Sequence, residues 1–358
     1  MVRDRIDKLR ALMRAEGLNG MLLIDQKDRR WATGFASSDG AVLVTEHETF
    51  FFTDSRYIEA ARLAVRDATV GLVSPKMPMR EWLRQAAADC GVKRLGFEED
   101  RLTWADTVRY RKMLPEAEFV GAASLVRRLR AEKDSDELAA MKKAQAVTDA
   151  VFTELLDIIR PGVSEREIAA EITYRQLLRG AEGNSFDPIV VTGRKSSMPH
   201  GVPGGELIQK GDFVTMDFGC VVDGYCSDMT RTVAVGEPTD EMRAVYDIVL
   251  RAQEAGMAAA RAGVTGESID AAGRGVIDDA GYGECFGHSF GHSLGLDIHE
   301  SPSASPSEKQ VMPVGAVVSA EPGIYIPGHF GVRIEDVLYL SENGCEDLTN
   351  SPKNLIVL

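Results

Sequence analysis

Between residues 200 and 335 eight residues stand out as able together to hold a cation or move a proton: Asp217, Asp228, His200, His288, His292, His299, Glu321 and Glu335. The stretch GDFVTMDFGCVVDGYCSDMTRTVAVG (211–236) contains two β-favouring runs joined by Asp223-Gly224, a strong two-residue hairpin signal. With that pair as the loop, Val222 faces Tyr225, Gly219 faces Asp228 and Asp217 faces Thr230. Side chains alternate along a strand, so Asp217 and Asp228 share one face as diagonal neighbours, ~7–8 Å apart at the backbone. Two carboxylates so placed repel unless a cation lies between them or water screens the face. The hairpin alone leaves both readings open.

Four of the six histidines are His200, His288, His292 and His299. The segment FGHSFGHSLGLDIHESP (286–302) carries three of them among small residues, which let backbone approach a ligand closely. A single histidine is usually structural; three within twelve positions favour a site. One would serve as a nitrogen ligand and the others for proton transfer or hydrogen bonding. Glu321 interrupts the apolar run VVSAEPGIYI (317–326), so it is buried and needs a partner. In GVRIEDVLYL (331–340), Arg333 and Glu335 share one strand face, with Val332, Ile334 and Asp336 on the other. Taken singly, either glutamate is equally well explained by pairing with an arginine.

These residues need a scaffold, and its outline is visible. Residues 4–16 read as an amphipathic helix ended by Gly17, and Met21 to Ile24 as a buried strand. AVLVT (41–45) and TFFFTD (49–54) read as a hairpin, followed by helical stretches near 55–65, 79–90 and 103–113 and strands at 69–74 and 93–98. This is an α/β domain over residues 1–125, without a phosphate-binding glycine loop. A charged helical stretch, 125–145, reads as the connector to a second domain, 126–358. There Ser164 and Glu167 form a capping box ahead of a helix to Leu178, and Thr239 opens a helix ending near Gly263. The rest of that half reads as strand-rich.

The bulk numbers agree. A length of 358 residues suits two domains of ~100–200 each. With 44% hydrophobic and 27% charged residues the chain is an ordinary folded one. A formal net charge of -14 repels phosphate backbones and argues against a nucleic-acid partner. No apolar run approaches the ~20 residues that span a bilayer, and the charged N-terminus lacks signal-peptide character. Five cysteines, an odd number without a CxxC, argue against a disulfide framework or a thiolate zinc site. The expectation is a cytoplasmic protein with no membrane partner.

Read in order, the candidate residues resemble the metal site of the pita-bread metallopeptidases, which include methionine aminopeptidases, Xaa-Pro aminopeptidases and prolidases. The family order Asp, Asp, His, Glu, Glu is met by MDFG at Asp217, SDMTRT at Asp228, GHSLG at His292, AEPG at Glu321 and RIED at Glu335. WATGFASSDGAVLVT (31–45) and FFTDSRYIEAA (51–61) are similar to the N-terminal domain of Xaa-Pro aminopeptidases, prolidases and creatinase. Methionine aminopeptidases lack that domain, and creatinase lacks the metal ligands. The resemblance therefore points to the proline-directed branch, with an α/β N-terminal domain and an α+β pita-bread catalytic domain.

The resemblance further implies two divalent ions, Mn²⁺ first, with Co²⁺, Zn²⁺ or Fe²⁺ as alternatives. Asp228 and Glu335 would bridge them, Asp217 would complete one ion, and His292 with Glu321 the other. Glu321 would be the base for the attacking water. His200, in PHG, and His299, in HESP, would stabilise developing charge and help protonate the leaving nitrogen. His288 would line the substrate pocket, and Arg333 would match an arginine behind the ligands. The implied activity is hydrolysis of the bond before a proline in second position, by a homodimer. The alternatives are an Xaa-Pro dipeptidase, a hydrolase of a small non-peptide substrate, and a non-catalytic binding protein on the same fold.

Overall fold

A computed structural model describes residues 2–358. Two compact units divide the chain, Met1–Arg130 and Ala131–Leu358.

The first unit is built on a six-stranded mixed sheet. Gly20–Leu23 lies near its middle, antiparallel to Ala41–Thr45 and parallel to Arg94–Phe97. The hairpin pairs Ala41–Thr45 with Thr49–Thr53, as the two β-favouring runs predict. Leu22, Leu43, Phe52, Leu83 and Leu95 form the core against the helix Met79–Asp89. Two elements were not evident in the sequence. The helix Gln26–Thr33 is capped by the Asp25 side chain, which accepts from the Lys27 and Asp28 amides. The edge strand Glu118–Gly121 has too little apolar pattern to stand out.

Buried charge in this unit is met in part by the fold, although among the described residues Arg29 Nε and Glu98 Oε1 make no hydrogen bond. Arg130 donates to Asp28 at 2.6 Å with both side chains nearly inaccessible. Arg29 donates to the Ile24 and Ser37 carbonyls, and Glu98 accepts from the Ile24 and Asp25 amides.

The expected charged connector is two helices rather than one. Ala123–Ala131 ends before Asp134, whose capping box with Glu137 starts Ser135–Leu155. Ser164 and Glu167 cap Glu165–Leu178 as predicted. Thr239 caps Asp240–Ala259, which stops four residues short of Gly263. A further helix, Gly266–Asp279, lies where strands were expected. Its glycines hide its helical character, and packing explains Gly273. A Cβ on Gly273 would lie 2.3 Å from the Phe290 ring, and one on Gly256, in the preceding helix, 2.1 Å from it. The two helices thus close over a fully buried Phe290.

The sheets of the second unit carry the candidate residues. The hairpin loop Asp223-Gly224 has φ values of 51° and 84°, the two positive angles of a type I′ turn. Val222 pairs with Tyr225 and Thr230 with Asp217, the predicted register. The hairpin bends at residues 218–219 and 227–229, so its tip pairs with Gly183–Asn184 and its base with Ile189–Thr192. A five-stranded sheet contains Gly291–Ser293 and Val317–Ala320, leading into His292 and Glu321. Gly323–Ile326 and Phe330–Arg333 form a separate ribbon, and Glu335 follows it immediately.

Candidate metal centre and active site

Strand ends meet at one cavity of about 570 Å³, lined within the second unit by Asp217, Asp228, His292, Glu321, Arg333 and Glu335. Its wall also includes His200, His288 and His299, so every sequence-predicted site residue lies at this cavity. Ligand atoms of Asp228, His292 and Glu335 fall within 4.8 Å of one another. His292 Nε2 lies 3.6 Å from Asp228 Oδ2 and 3.4 Å from Glu321 Oε1. His292 Nδ1 contacts the Ser293 carbonyl at 3.2 Å. A proton on Nδ1 satisfies that contact and leaves the Nε2 lone pair directed at the carboxylates.

The surrounding polar groups orient the acids. Thr230 Oγ1 donates to Glu335 Oε2 at 2.7 Å. Ser319 Oγ donates to Glu321 Oε1 and accepts from the His292 amide. Arg333 Nη2 donates to Asp217 Oδ2 at 2.6 Å, and its Nε donates to Thr230 Oγ1. Arg333 Nη1 donates to the Tyr325 hydroxyl at 2.7 Å, which stands 2.9 Å from His288 Nε2. The other ring nitrogen of His288 is 2.9 Å from the Ser289 carbonyl. One proton assignment satisfies the row: Arg333 donates to Tyr325, Tyr325 to His288 Nε2, and His288 Nδ1 to Ser289. Both His288 nitrogens are then engaged by the protein, so it offers the cavity its ring surface. Arg333 is likewise turned to protein partners, with Asp217 as its charged one.

Charge at the site is unbalanced. Four carboxylates converge on a single arginine. Burial, then the Asp217 and Glu321 charges, push the Asp228 carboxyl well above the usual range. Burial and the charges of Asp228, Glu321 and Asp217 do the same to Glu335. Burial raises Glu321 to about 7 despite the opposing charge of Arg333. Burial lowers His288 to about 4, with the Arg333 charge adding to it. Burial and the charges of His292 and His200 also lower His299. Two buried oxygens, Asp217 Oδ1 and Asp228 Oδ1, accept no hydrogen bond. Orphaned carboxylate oxygens beside an aimed imidazole are what a divalent cation satisfies, and a carboxylate-rich set with one nitrogen fits a hard to borderline ion. The residues present therefore fit a metal centre.

Tyr325, Thr230 and Ser319 are not singled out by sequence reasoning. Each was legible only as a strand residue, although Tyr325 and Ser319 each lie within four residues of Glu321.

The chain matches two family descriptions in succession: Creatinase/Prolidase N-terminal domain over residues 5–131, and Metallopeptidase family M24 over 139–342. It is 40% identical over 354 residues to the uncharacterized peptidase YqhT of Bacillus subtilis, covering 99% of this chain and all of that one. It is similar in structure to the Xaa-Pro dipeptidase from Bacillus anthracis, with a TM-score of 0.96 at 40% identity and full coverage of both chains. It also resembles the X-Pro aminopeptidase from Thermotoga maritima, with a TM-score of 0.91 at 36% identity over 96% of this chain and 98% of that one. A pita-bread peptidase domain following a creatinase-type domain accounts for both halves of the chain, which belongs to metallopeptidase family M24.

Proposed function

We propose that this protein is an Xaa-Pro aminopeptidase, hydrolysing the bond before a proline in second position of a peptide. The observation that carries the reading is the convergence of Asp217, Asp228, His292, Glu321 and Glu335 on one cavity that also exposes His200 and His299. Relatives named Xaa-Pro dipeptidase and X-Pro aminopeptidase support the proline specificity. Among the described residues lining the cavity, Arg333 is the only arginine or lysine, and Asp217 and Tyr325 occupy it. A cavity without a free cation for a terminal carboxylate favours a substrate that continues past proline. The second reading, an Xaa-Pro dipeptidase, is favoured by the likeness to the Bacillus anthracis enzyme.

Asp217, Asp228, His292, Glu321 and Glu335 would hold two divalent ions, Mn²⁺ foremost, which when bound polarise a carbonyl and acidify water. A Glu321 carboxylate oxygen takes the proton of the attacking water as general base. Burial and the neighbouring imidazoles lower His299, which favours the neutral ring, and a ring N–H would face the developing oxyanion. His200, on the same wall, is placed to help protonate the departing proline nitrogen. Arg333 holds Asp217, and His288 bounds the pocket with its ring.

The working form is a homodimer: Tyr174, Leu177 and Leu178 are 57%, 50% and 68% exposed on one helix at i, i+3 and i+4 spacing, an apolar face for a second copy. No described helix is long and apolar enough to cross a membrane, and the absence of a disulfide among the five cysteines suits a reducing cytoplasm. The test is hydrolysis by metal-stripped protein, with and without Mn²⁺, of an Xaa-Pro dipeptide and an Xaa-Pro-Xaa tripeptide. Metal-dependent tripeptide cleavage is expected. Dipeptide cleavage alone would establish the second reading, and cleavage of neither would end the proline assignment.

A further inference from the structure

Among the described residues, none hydrogen-bonds the His299 ring, which meets only the edge of another imidazole, His292, at 4.4 Å between centroids. Something else must fix its position, and the next residue does so. The Glu300 side chain is 7% exposed and its Oε2 accepts from Lys133 Nζ at 2.9 Å; the Lys133 side chain is 1% exposed. Glu300 Oε1 accepts from the Asp297 amide, and the Gly295 amide donates to the Asp297 carbonyl. The Glu300 carboxylate therefore folds residues 295–300 back on themselves. A Cβ on Gly295 would come within 2.8 Å of it. The loop is anchored at its start by the Cys226 amide, two residues before Asp228, which donates to Gly295 O, and the lysine backbone is itself held where the Lys133 amide donates to Gly315 O.

A fully buried ion pair is a poor source of stability, since desolvation offsets most of its attraction. Its value here is geometric. We propose that Lys133 and Glu300 are positioning residues that set the place of His299 against the substrate. The inference rests on the reading of His299 as a group that meets the reacting carbonyl. It assigns a role to Lys133, which lies in a charged stretch that the sequence alone reads as a connector.

The test is a double-mutant cycle on the metal-loaded enzyme with an Xaa-Pro-Xaa tripeptide, using Lys133→Met, His299→Ala and the double variant. Lys133→Met is expected to lower kcat by about 10–100-fold through misplacement of the imidazole, with bound metal unchanged. The double variant is expected to be no slower than His299→Ala, because Lys133 acts only through that ring. Effects that multiply, or loss of metal from Lys133→Met, would overturn the proposal. Should Lys133→Met not fold, Glu300→Gln takes its place in the same cycle with the same two outcomes. A second readout is independent of turnover. In protein labelled at histidine, the His299 imidazole signal, identified by its loss in His299→Ala, should move in the positioning variant while those of His47 and His329 stay. An unmoved His299 signal sinks the positioning role even if the wild-type protein cuts no proline peptide, whereas a moved signal with no wild-type cleavage would count against the proline reading alone.

Discussion

Glu335 and Asp336 are neighbours in sequence, both buried, and face opposite clusters. On the Asp336 side every charge is met by protein. Arg231 uses all five N–H donors, on Asp336 Oδ1 and on the carbonyls of Thr230, Glu335, Ser351 and Pro352. Lys353 Nζ lies 2.7 Å from Asp336 Oδ2, which also accepts from Gln253. Burial would raise Asp336, but Arg231 and Lys353 together hold it below the usual carboxylate range. On the Glu335 side four acids share one arginine, and the carboxyls of Asp228, Glu321 and Glu335 are all driven up. A buried carboxylate that the fold neutralises is structural. A cluster left acid-rich, with orphaned oxygens, is waiting for a ligand.

The difference can be broken at each cluster. Glu335→Gln should lower kcat/KM at least about 10³-fold, the scale of losing a metal-centre group, and reduce bound metal. Its metal-free form should melt no lower than metal-free wild type, because a repulsive charge has gone. A lower melting temperature would mean that Glu335 is structural after all. Arg231→Met should do the reverse, destabilising the fold by ~3–5 kcal/mol in urea titration by leaving Asp336 buried with half its neutralising charge. A loss below ~1 kcal/mol would erase the contrast. Chelation should lower wild-type stability by ~3–4 kcal/mol relative to metal at about 100–1,000 times its dissociation constant. The same chelation should barely affect Glu335→Gln.

The smallest effect concerns Asp347, which shares Lys353 with Asp336. Burial and the Asp336 charge raise Asp347 to about 6 despite Lys353. A carboxyl raised in the fold contributes stability that is fully present below its unfolded pKa near ~3.9 and is lost as pH rises through the folded value. Asp347→Asn should therefore flatten the fall in stability between pH ~4 and ~6 by on the order of 1 kcal/mol. An unchanged slope would show that Lys353 neutralises both acids.

The hairpin that carries Asp217 and Asp228 was legible because its turn is local chemistry. Asp223-Gly224 dictates a type I′ loop, and the period of two then puts Asp217 and Asp228 on one face. The helices capped by Ser164 and Thr239 were legible for the same reason. The helix Gly266–Asp279 was not, because Gly273 answers to Phe290 and Gly266 to the Ser303 carbonyl rather than to helix propensity. The stretch 125–145 reads as a charged connector, yet Lys133 within it is buried on Glu300, 167 residues away. Tyr325 and Thr230 had no signal of their own, since what they do depends on Arg333 and Glu335 arriving from another strand.

By itself the sequence determined which side chains could bind cations, their order along the chain, and the local turns and caps that orient each one, because those follow from residue type and near neighbours. Only the tertiary structure decided which buried charges are cancelled and which are left over. Neutralisation depends on through-space distance in a medium that screens poorly, and Arg231 reaches Asp336 across 105 residues of chain.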